Sequence, residues 1–284
     1  MARIALFGGR GYLGAQLAAY FAMRAIDCVV FDLPEFDVTK EACWKGFEPS
    51  DYTAVCFFVG LTGTEKSFVA ANQFYDVNER GLLNLLTKLA PFGEAAPKVI
   101  FPSSRLVYKG ADHPLSEDAP KEAKTIYAAN KLANEYVLQA FCSRYGIRSV
   151  TVRICIPYGS IVPHVYSYGT VGFFLEQASA GRITLYGDGS LRRTFTHVGD
   201  ICEIVSRLIS TDCVGTFNIG GNNLSLKDAA SKIAAKKGAE VVMVPWPDAA
   251  LRIESGSTVF DSTLLERTIG FDHYRSFSDF VNGL

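Results

Sequence analysis

The sequence predicts an α/β protein, a doubly wound parallel sheet followed by a smaller C-terminal lobe. Three observations carry that expectation. Short apolar runs alternate with helical patterns over roughly the first 160 residues, a glycine-rich turn joins the first run to the first helix, and the rhythm breaks after Pro157-Tyr158-Gly159.

Apolar runs bounded by turn residues predict strands at Arg3–Phe7, Cys28–Phe31, Ala54–Val59, Lys98–Pro102 and Ser149–Arg153. Apolar spacing of three and four residues fits helices at Tyr12–Arg24, Asn72–Leu89 and Ile126–Tyr145. In the second of these, Val77, Leu82, Leu85, Leu86 and Leu89 make a core or partner face. Residues 160–198 carry several Gly and Tyr residues, one Pro and a cluster of arginines. A helix at Asp200–Ile209 and a strand at Thr216–Ile219 follow, and Ser225-Leu-Lys-Asp228 opens a further helix with a capping box.

Composition narrows the function. The 284 residues carry a formal net charge of -1, so no electrostatic case exists for nucleic acid or an anionic membrane. Seven cysteines, odd in number and without a C-x-x-C pair, read as reduced core thiols, and four scattered histidines suggest no metal site. The opening Ile4-Ala5-Leu6-Phe7 run is too short for a signal peptide or a membrane span, so a soluble cytoplasmic protein is expected.

The turn Gly8-Gly9-Arg10-Gly11-Tyr12-Leu13-Gly14 lies between the first strand and its helix. Glycines there permit positive φ and close backbone approach, while the helix N-terminus offers free N–H groups to a pyrophosphate. Asp32 ends the second strand, where its carboxylate can accept the hydrogens of a ribose diol. A 2′-phosphate would be repelled by it, and Leu33-Pro34 supplies no compensating arginine, which favours NAD over NADP. A Rossmann-type NAD-binding domain is therefore expected over residues 1–160, with residues 194–220 returning to it and 161–284 forming mainly a substrate-binding lobe.

A second constellation points to proton transfer. Tyr127 and Lys131 are four apart near the start of a helix and share a face. A neighbouring ammonium favours the phenolate and lowers a tyrosine pKa that is otherwise near 10. Ser104 follows a predicted strand at the edge where α/β sites lie, placed to hydrogen-bond a substrate oxygen beside Tyr127.

The G-x-x-G-x-x-G spacing, with strand-end Ser, Tyr and Lys in that order, resembles the short-chain dehydrogenase/reductase superfamily in its extended, sugar-nucleotide-modifying form, the NAD-dependent epimerase/dehydratase family. The resemblance runs nearly the length of the chain. It implies cofactor contacts from Gly8, Arg10, Gly11, Tyr12, Leu13, Gly14, Asp32, Val59, Gly60, Leu61 and Ile156, from Tyr127 and Lys131, and a structural role beside the cofactor for Asn78. It also implies that Arg193, in Arg193-Thr-Phe-Thr-His197, contacts a nucleotide diphosphate, with Arg105 and Arg252 as further candidate substrate contacts. His197 reads as a core or hinge histidine. The two long helices resemble those the family pairs in a homodimer.

Departures refine the expectation. Arg105 and Leu106 stand where family members that dehydrate or decarboxylate nucleotide sugars carry acidic residues, and leucine cannot expel a 6-hydroxyl as its acid. Ile156 replaces a frequent Asn, and the R-x-G-D element is represented only by Arg252-Ile-Glu-Ser-Gly256. The activity expected is NAD-dependent epimerisation of a nucleotide sugar through transient oxidation, at C4 by preference. A nucleotide-sugar 4-ketoreductase or dehydrogenase is the alternative, and a catalytically idle NAD-binding sensor or scaffold the alternative of another class.

Overall fold

Alternation along the first strand decides how the sheet is covered. Ile4 and Leu6 point to one face, Ala5 and Phe7 to the other, and all four are buried. A strand buried on both faces belongs inside a parallel sheet with helices on either side. The computed structural model, which describes residues 3–162 and 169–284, shows this arrangement.

In chain order the strands are β1 (Arg3–Phe7), β2 (Asp27–Phe31), β3 (Ala54–Phe57), β4 (Lys98–Ser104), β5 (Ser149–Ile154), β6 (Ile156–Tyr158), β7 (Arg182–Tyr186), β8 (Arg192–His197), β9 (Gly215–Asn218), β10 (Asn222–Ser225) and β11 (Glu240–Val244). Six of them form one parallel sheet in the order β2-β1-β3-β4-β5-β9, with Ala5 paired to both Val29 and Val55. The chain leaves β1 to one side for β2 and returns past it to β3. That reversal opens a crevice beyond the carboxyl end of β1, where ligands of such sheets bind.

On one face, Ile4 and Leu6 pack with Leu17 and Phe21 of the helix Tyr12–Met23 and with Ile201 and Val205 of the helix Val198–Ser210. On the other, Ala5, Phe7 and Val55 meet Leu82, Leu85, Leu86 and Leu89. Two smaller sheets, β10-β8-β6 and β11-β7, carry the rest of the chain, with a separate core that includes Tyr158, Phe195 and Ile233.

The expected helix Asn72–Leu89 is corrected in detail. It is built from an α-turn at Ala71–Phe74, a π-helical turn at Tyr75–Arg80 and an α-helix at Gly81–Leu89. The π turn inserts a residue into the helical repeat. It lets Asn78 face inward to the loop after β3 while the later leucines still face the sheet. Gly81 brings this helix close to Val38, since a Cβ there would lie 2.8 Å from a Val38 methyl. The expected strand Ala54–Val59 stops at Phe57, because Val59-Gly60-Leu61 leaves the sheet to line the crevice.

A buried polar network joins three of the strands. Glu135, on the helix Ile126–Tyr145, takes a fork from Arg153 of β5, with Nε–Oε1 at 3.0 Å and Nη2–Oε2 at 2.6 Å. The Ser103 hydroxyl of β4 also donates to Glu135. Arg153 reaches on to the Tyr108 hydroxyl at 2.6 Å, which donates to Asn218 of β9 at 2.7 Å. Both members of the ion pair are almost wholly buried. Removing one member leaves the other charged and unpaired, so Glu135→Ala is expected to lower unfolding free energy by about 3–5 kcal/mol, whereas the double change Glu135→Leu with Arg153→Met should recover much of that loss. Urea titration of the two variants measures the difference.

Candidate active site

The glycine turn is held so tightly that side chains are excluded. Gly8 has φ +83°, and a Cβ on it would lie 2.7 Å from the backbone of Phe58 and Val59. A Cβ on Gly14 would stand 2.0 Å from the Gly8 carbonyl oxygen. Gly11, the N-cap of the first helix, donates its N–H to Gly8 O at 3.2 Å. The helix thus starts directly beneath a backbone shelf, with its first N–H groups facing the crevice. This cradle suits a dinucleotide pyrophosphate. Asp32 is beside it, accepting the Arg10 backbone N–H at 2.7 Å and the Leu33 N–H at 2.8 Å.

The crevice opens into a cleft of about 1280 Å³. Gly11, Tyr12, Leu13 and Gly14 line it, as do Val59, Gly60 and Leu61, the expected trio Ser104, Tyr127 and Lys131, and Ile156 and Arg105. Asn78 holds the β3 loop from behind, its Oδ1 accepting the Leu61 N–H at 2.7 Å and its amide donating to Leu61 O at 3.1 Å. Asn134 in turn donates to Asn78 O at 2.7 Å.

Helix Ile126–Tyr145 begins at Thr125, whose hydroxyl accepts the Ala128 N–H at 3.1 Å. That cap fixes Tyr127 and Lys131 in the first turns, at the carboxyl edge of β4. The Lys131 ammonium is buried, donates to Pro102 O at 2.7 Å and lies 5.9 Å from the centre of the Tyr127 ring. Burial pulls its pKa down to about 8, against the opposing charge of Glu135. Ser104 ends β4 with its hydroxyl accepting the Leu106 N–H at 3.2 Å, while its neighbour Ser103 turns to the other face and Glu135. The arrangement supplies a tyrosine beside a buried cation, and a hydroxyl at the rim of the cofactor cradle. This is equipment for moving a proton to or from a substrate hydroxyl as a hydride moves.

Two of the arginines expected at the substrate do not reach the cleft. Arg193 is 1% exposed, donates to Gly256 O at 2.7 Å and Arg192 O at 2.9 Å, and pairs with Glu254 at 2.8 Å. Burial and the nearby Arg105 pull its pKa down to about 10. The expectation that it faces a diphosphate is corrected to that extent: its fork is turned inward, onto the segment that follows Arg252. Arg252 itself is exposed and does not line the cleft. Arg105 alone of the three borders the cavity, making contacts of 3.5 Å to the Ser255 and Thr258 hydroxyls.

Nothing in the sequence pointed to Gln16, to the wall formed by the helix Gly169–Ser179 or to the contact that Tyr12 makes with Gly159. Gln16, fully buried, accepts the Ile161 N–H at 2.7 Å and donates to the Ser160 hydroxyl at 3.0 Å, and Tyr12 donates to Gly159 O at 2.7 Å. The helix Gly169–Ser179 forms the far wall through Gly172 and Phe173. Among the described residues no cluster of His, Cys, Asp and Glu could hold a metal, and no helix is long and apolar enough to cross a membrane.

Comparisons with known proteins place the chain in a family. Residues 4–220 match the model of the NAD dependent epimerase/dehydratase family. The chain belongs to that family. Relatives at 26% identity include a dTDP-L-rhamnose 4-epimerase of Burkholderia thailandensis, matched over 84% of this chain and 82% of that protein. A dTDP-glucose 4,6-dehydratase of Xanthomonas campestris matches at 26% over 60% of this chain, which spans about half (51%) of its length. Among solved structures, the Thermus thermophilus UDP-glucose 4-epimerase in complex with NAD superposes with a TM-score of 0.83 at 22% identity, over 99% of this chain and 98% of that one. The Streptomyces venezuelae dTDP-glucose 4,6-dehydratase DesIV gives 0.85 at 22%, over 99% and 96%. At those identities the structures attest the fold.

Two outcomes are expected. Gly14→Ala forces a methyl into the Gly8 carbonyl and should abolish NADH binding, seen as loss of the fluorescence change on titration, with a lowered Tm. His197 accepts the Gly199 N–H and is half-buried, and burial beside Arg275 lowers its pKa to about 4 from the ordinary 6.5. Between those values the unfolded chain takes up a proton that the folded chain refuses, so stability falls as pH drops from 6.5 toward 4. The loss should be at most about 3 kcal/mol, reduced by solvent screening, and His197→Asn, which keeps a capping oxygen, should flatten that part of the stability–pH curve.

Proposed function

We propose that this protein is a cytoplasmic, NAD-dependent nucleotide-sugar epimerase acting through transient oxidation at a sugar carbon, C4 by preference. The observation that carries the reading is the cleft wall itself. Ser104, Tyr127 and Lys131 border the cofactor cradle, while the two positions after Ser104, which also line the cleft, are Arg105 and Leu106 and carry no carboxylate.

Gly8 to Gly14 would hold the pyrophosphate, Asp32 the adenosine ribose, and Val59 to Leu61 the nicotinamide side. Bound NAD supplies a hydride acceptor that can also return the hydride. Tyr127 takes the proton of the substrate hydroxyl as its C–H bond is broken, and gives it back when the bond re-forms on the other face of the sugar. Lys131 holds that phenolate in its charged form and would also hold the nicotinamide ribose. Ser104 orients the substrate oxygen. Arg105 is the cation assigned to the substrate's phosphate. Recycling within one turnover explains how an NAD site suits an isomerisation: no external reductant is consumed.

The reading is tested by incubating the purified enzyme with UDP-, GDP-, CDP- and dTDP-hexoses. Interconversion of two epimers without added cofactor supports it, and stoichiometric NADH consumption would replace it with a 4-ketoreductase. Tyr127→Phe should reduce turnover by about 10²–10⁴ while leaving NADH affinity within a few fold. If the idle-sensor reading were right, no nucleotide sugar would turn over at all.

We also propose a homodimer formed on the helices that follow β3 and β4. Leu83 and Tyr136, exposed by 44% and 60%, support that face as one awaiting a partner. Light scattering at micromolar concentration is expected to give twice the chain mass, and Tyr136→Glu to reduce it to one.

A further inference from the structure

The corner where β2 meets the glycine turn holds a cation, Arg10, whose side-chain partners the order of residues does not reveal. Arg10, within the turn, extends its guanidinium across the end of β2. There it donates to the Leu33 carbonyl and to Glu35 Oε2, the latter at 2.6 Å. Its own backbone N–H is the donor to Asp32 Oδ2. Three charges therefore share the surface on which an adenosine ribose would rest, Asp32, Glu35 and Arg10, and they sum to one negative. The Arg10 and Glu35 side chains are 56% and 67% exposed, so neither is locked in place by packing.

This alters the account of cofactor choice. Asp32 repels a 2′-phosphate, but an arginine stands within the same few residues, and its planar fork could grip that phosphate with two hydrogen bonds. What keeps the fork from doing so is its engagement with the Leu33 carbonyl and the Glu35 carboxylate. We propose that Glu35 is a specificity-determining residue, which sequesters Arg10 and so removes the cation that would otherwise admit NADPH. Discrimination against NADPH has two layers here: Asp32 supplies the repulsion, and Glu35 withholds the attraction.

The two layers are separable. Glu35→Gln keeps size and hydrogen-bonding capacity but weakens the hold on Arg10. It leaves intact the Asp32 carboxylate, on which NADH depends. An exposed ion pair is modest in strength, so the release is expected to be modest too, roughly a fivefold gain.

The test is a binding measurement on the full chain, by fluorescence titration with NADH and with NADPH, at one fixed ionic strength. Wild type should prefer NADH. Glu35→Gln should bind NADPH about fivefold more tightly and NADH within twofold of wild type. Adding Arg10→Met to Glu35→Gln should erase the NADPH gain. An unchanged NADPH affinity in Glu35→Gln overturns the proposal. So does a gain that persists in the double variant, because the effect would then be loss of repulsion by Glu35 and not release of Arg10. Tm values of all variants should match wild type within a few degrees, as expected for exposed side chains. A variant that falls outside this range is replaced by Glu35→Ser and judged on the same two outcomes.

Discussion

The carboxylate of Glu135 ties two strands of the sheet to the helix that borders the cleft. Arg153 grips it from β5, and Ser103 donates to it from β4. The helix that carries Glu135 also carries Lys131 one turn earlier and Tyr127 one turn before that. A bidentate buried pair has direction as well as energy, so the rotation of this helix about its axis is set by where Arg153 stands in the sheet. Through Tyr108 and Asn218 the same network reaches β9, at the far edge. The position of Tyr127 and Lys131, the proposed proton-transfer pair, is thus referred to the sheet. The same carboxylate also opposes the burial that draws the Lys131 proton off, which keeps a cation beside the tyrosine.

The cofactor end obeys a different constraint, steric and not electrostatic. Gly8 and Gly14 place backbone against backbone, the first on the loop after β3 and the second under Gly8 itself. Nothing larger than hydrogen fits, so the spacing of those glycines is written directly into the sequence. For the same reason the cradle, Asp32 at the end of β2 and the Tyr–Lys pair were legible without coordinates. Each rests on local geometry, a tight turn or one helical repeat.

Features that depend on distant partners were not legible. The run from Asn72 to Leu89 reads as one helix because its leucines keep a helical rhythm, yet Asn78 must turn inward to Leu61, and a π turn accommodates both demands. Arg193 sits in a stretch matching a phosphate-binding signature, but a glutamate 61 residues later takes its charge. Spacing along the chain cannot report such a pairing. Arg10 is the converse case: it was expected at the cofactor, and only the fold shows that its side chain and its backbone serve different partners.

Gln16 illustrates how the two parts of the molecule are joined. Its amide, wholly buried on the cofactor helix, is spent on Ser160, Ile161 and Val162, and Tyr12 one turn earlier holds Gly159. The stretch from Gly159 to Val162 is therefore stitched to the helix that follows the glycine turn. For anyone wishing to transplant a sugar pocket from a relative, the seam lies after Val162. Material exchanged beyond that point inherits a cofactor platform already fixed, whereas a graft that began earlier would have to bring its own Gln16.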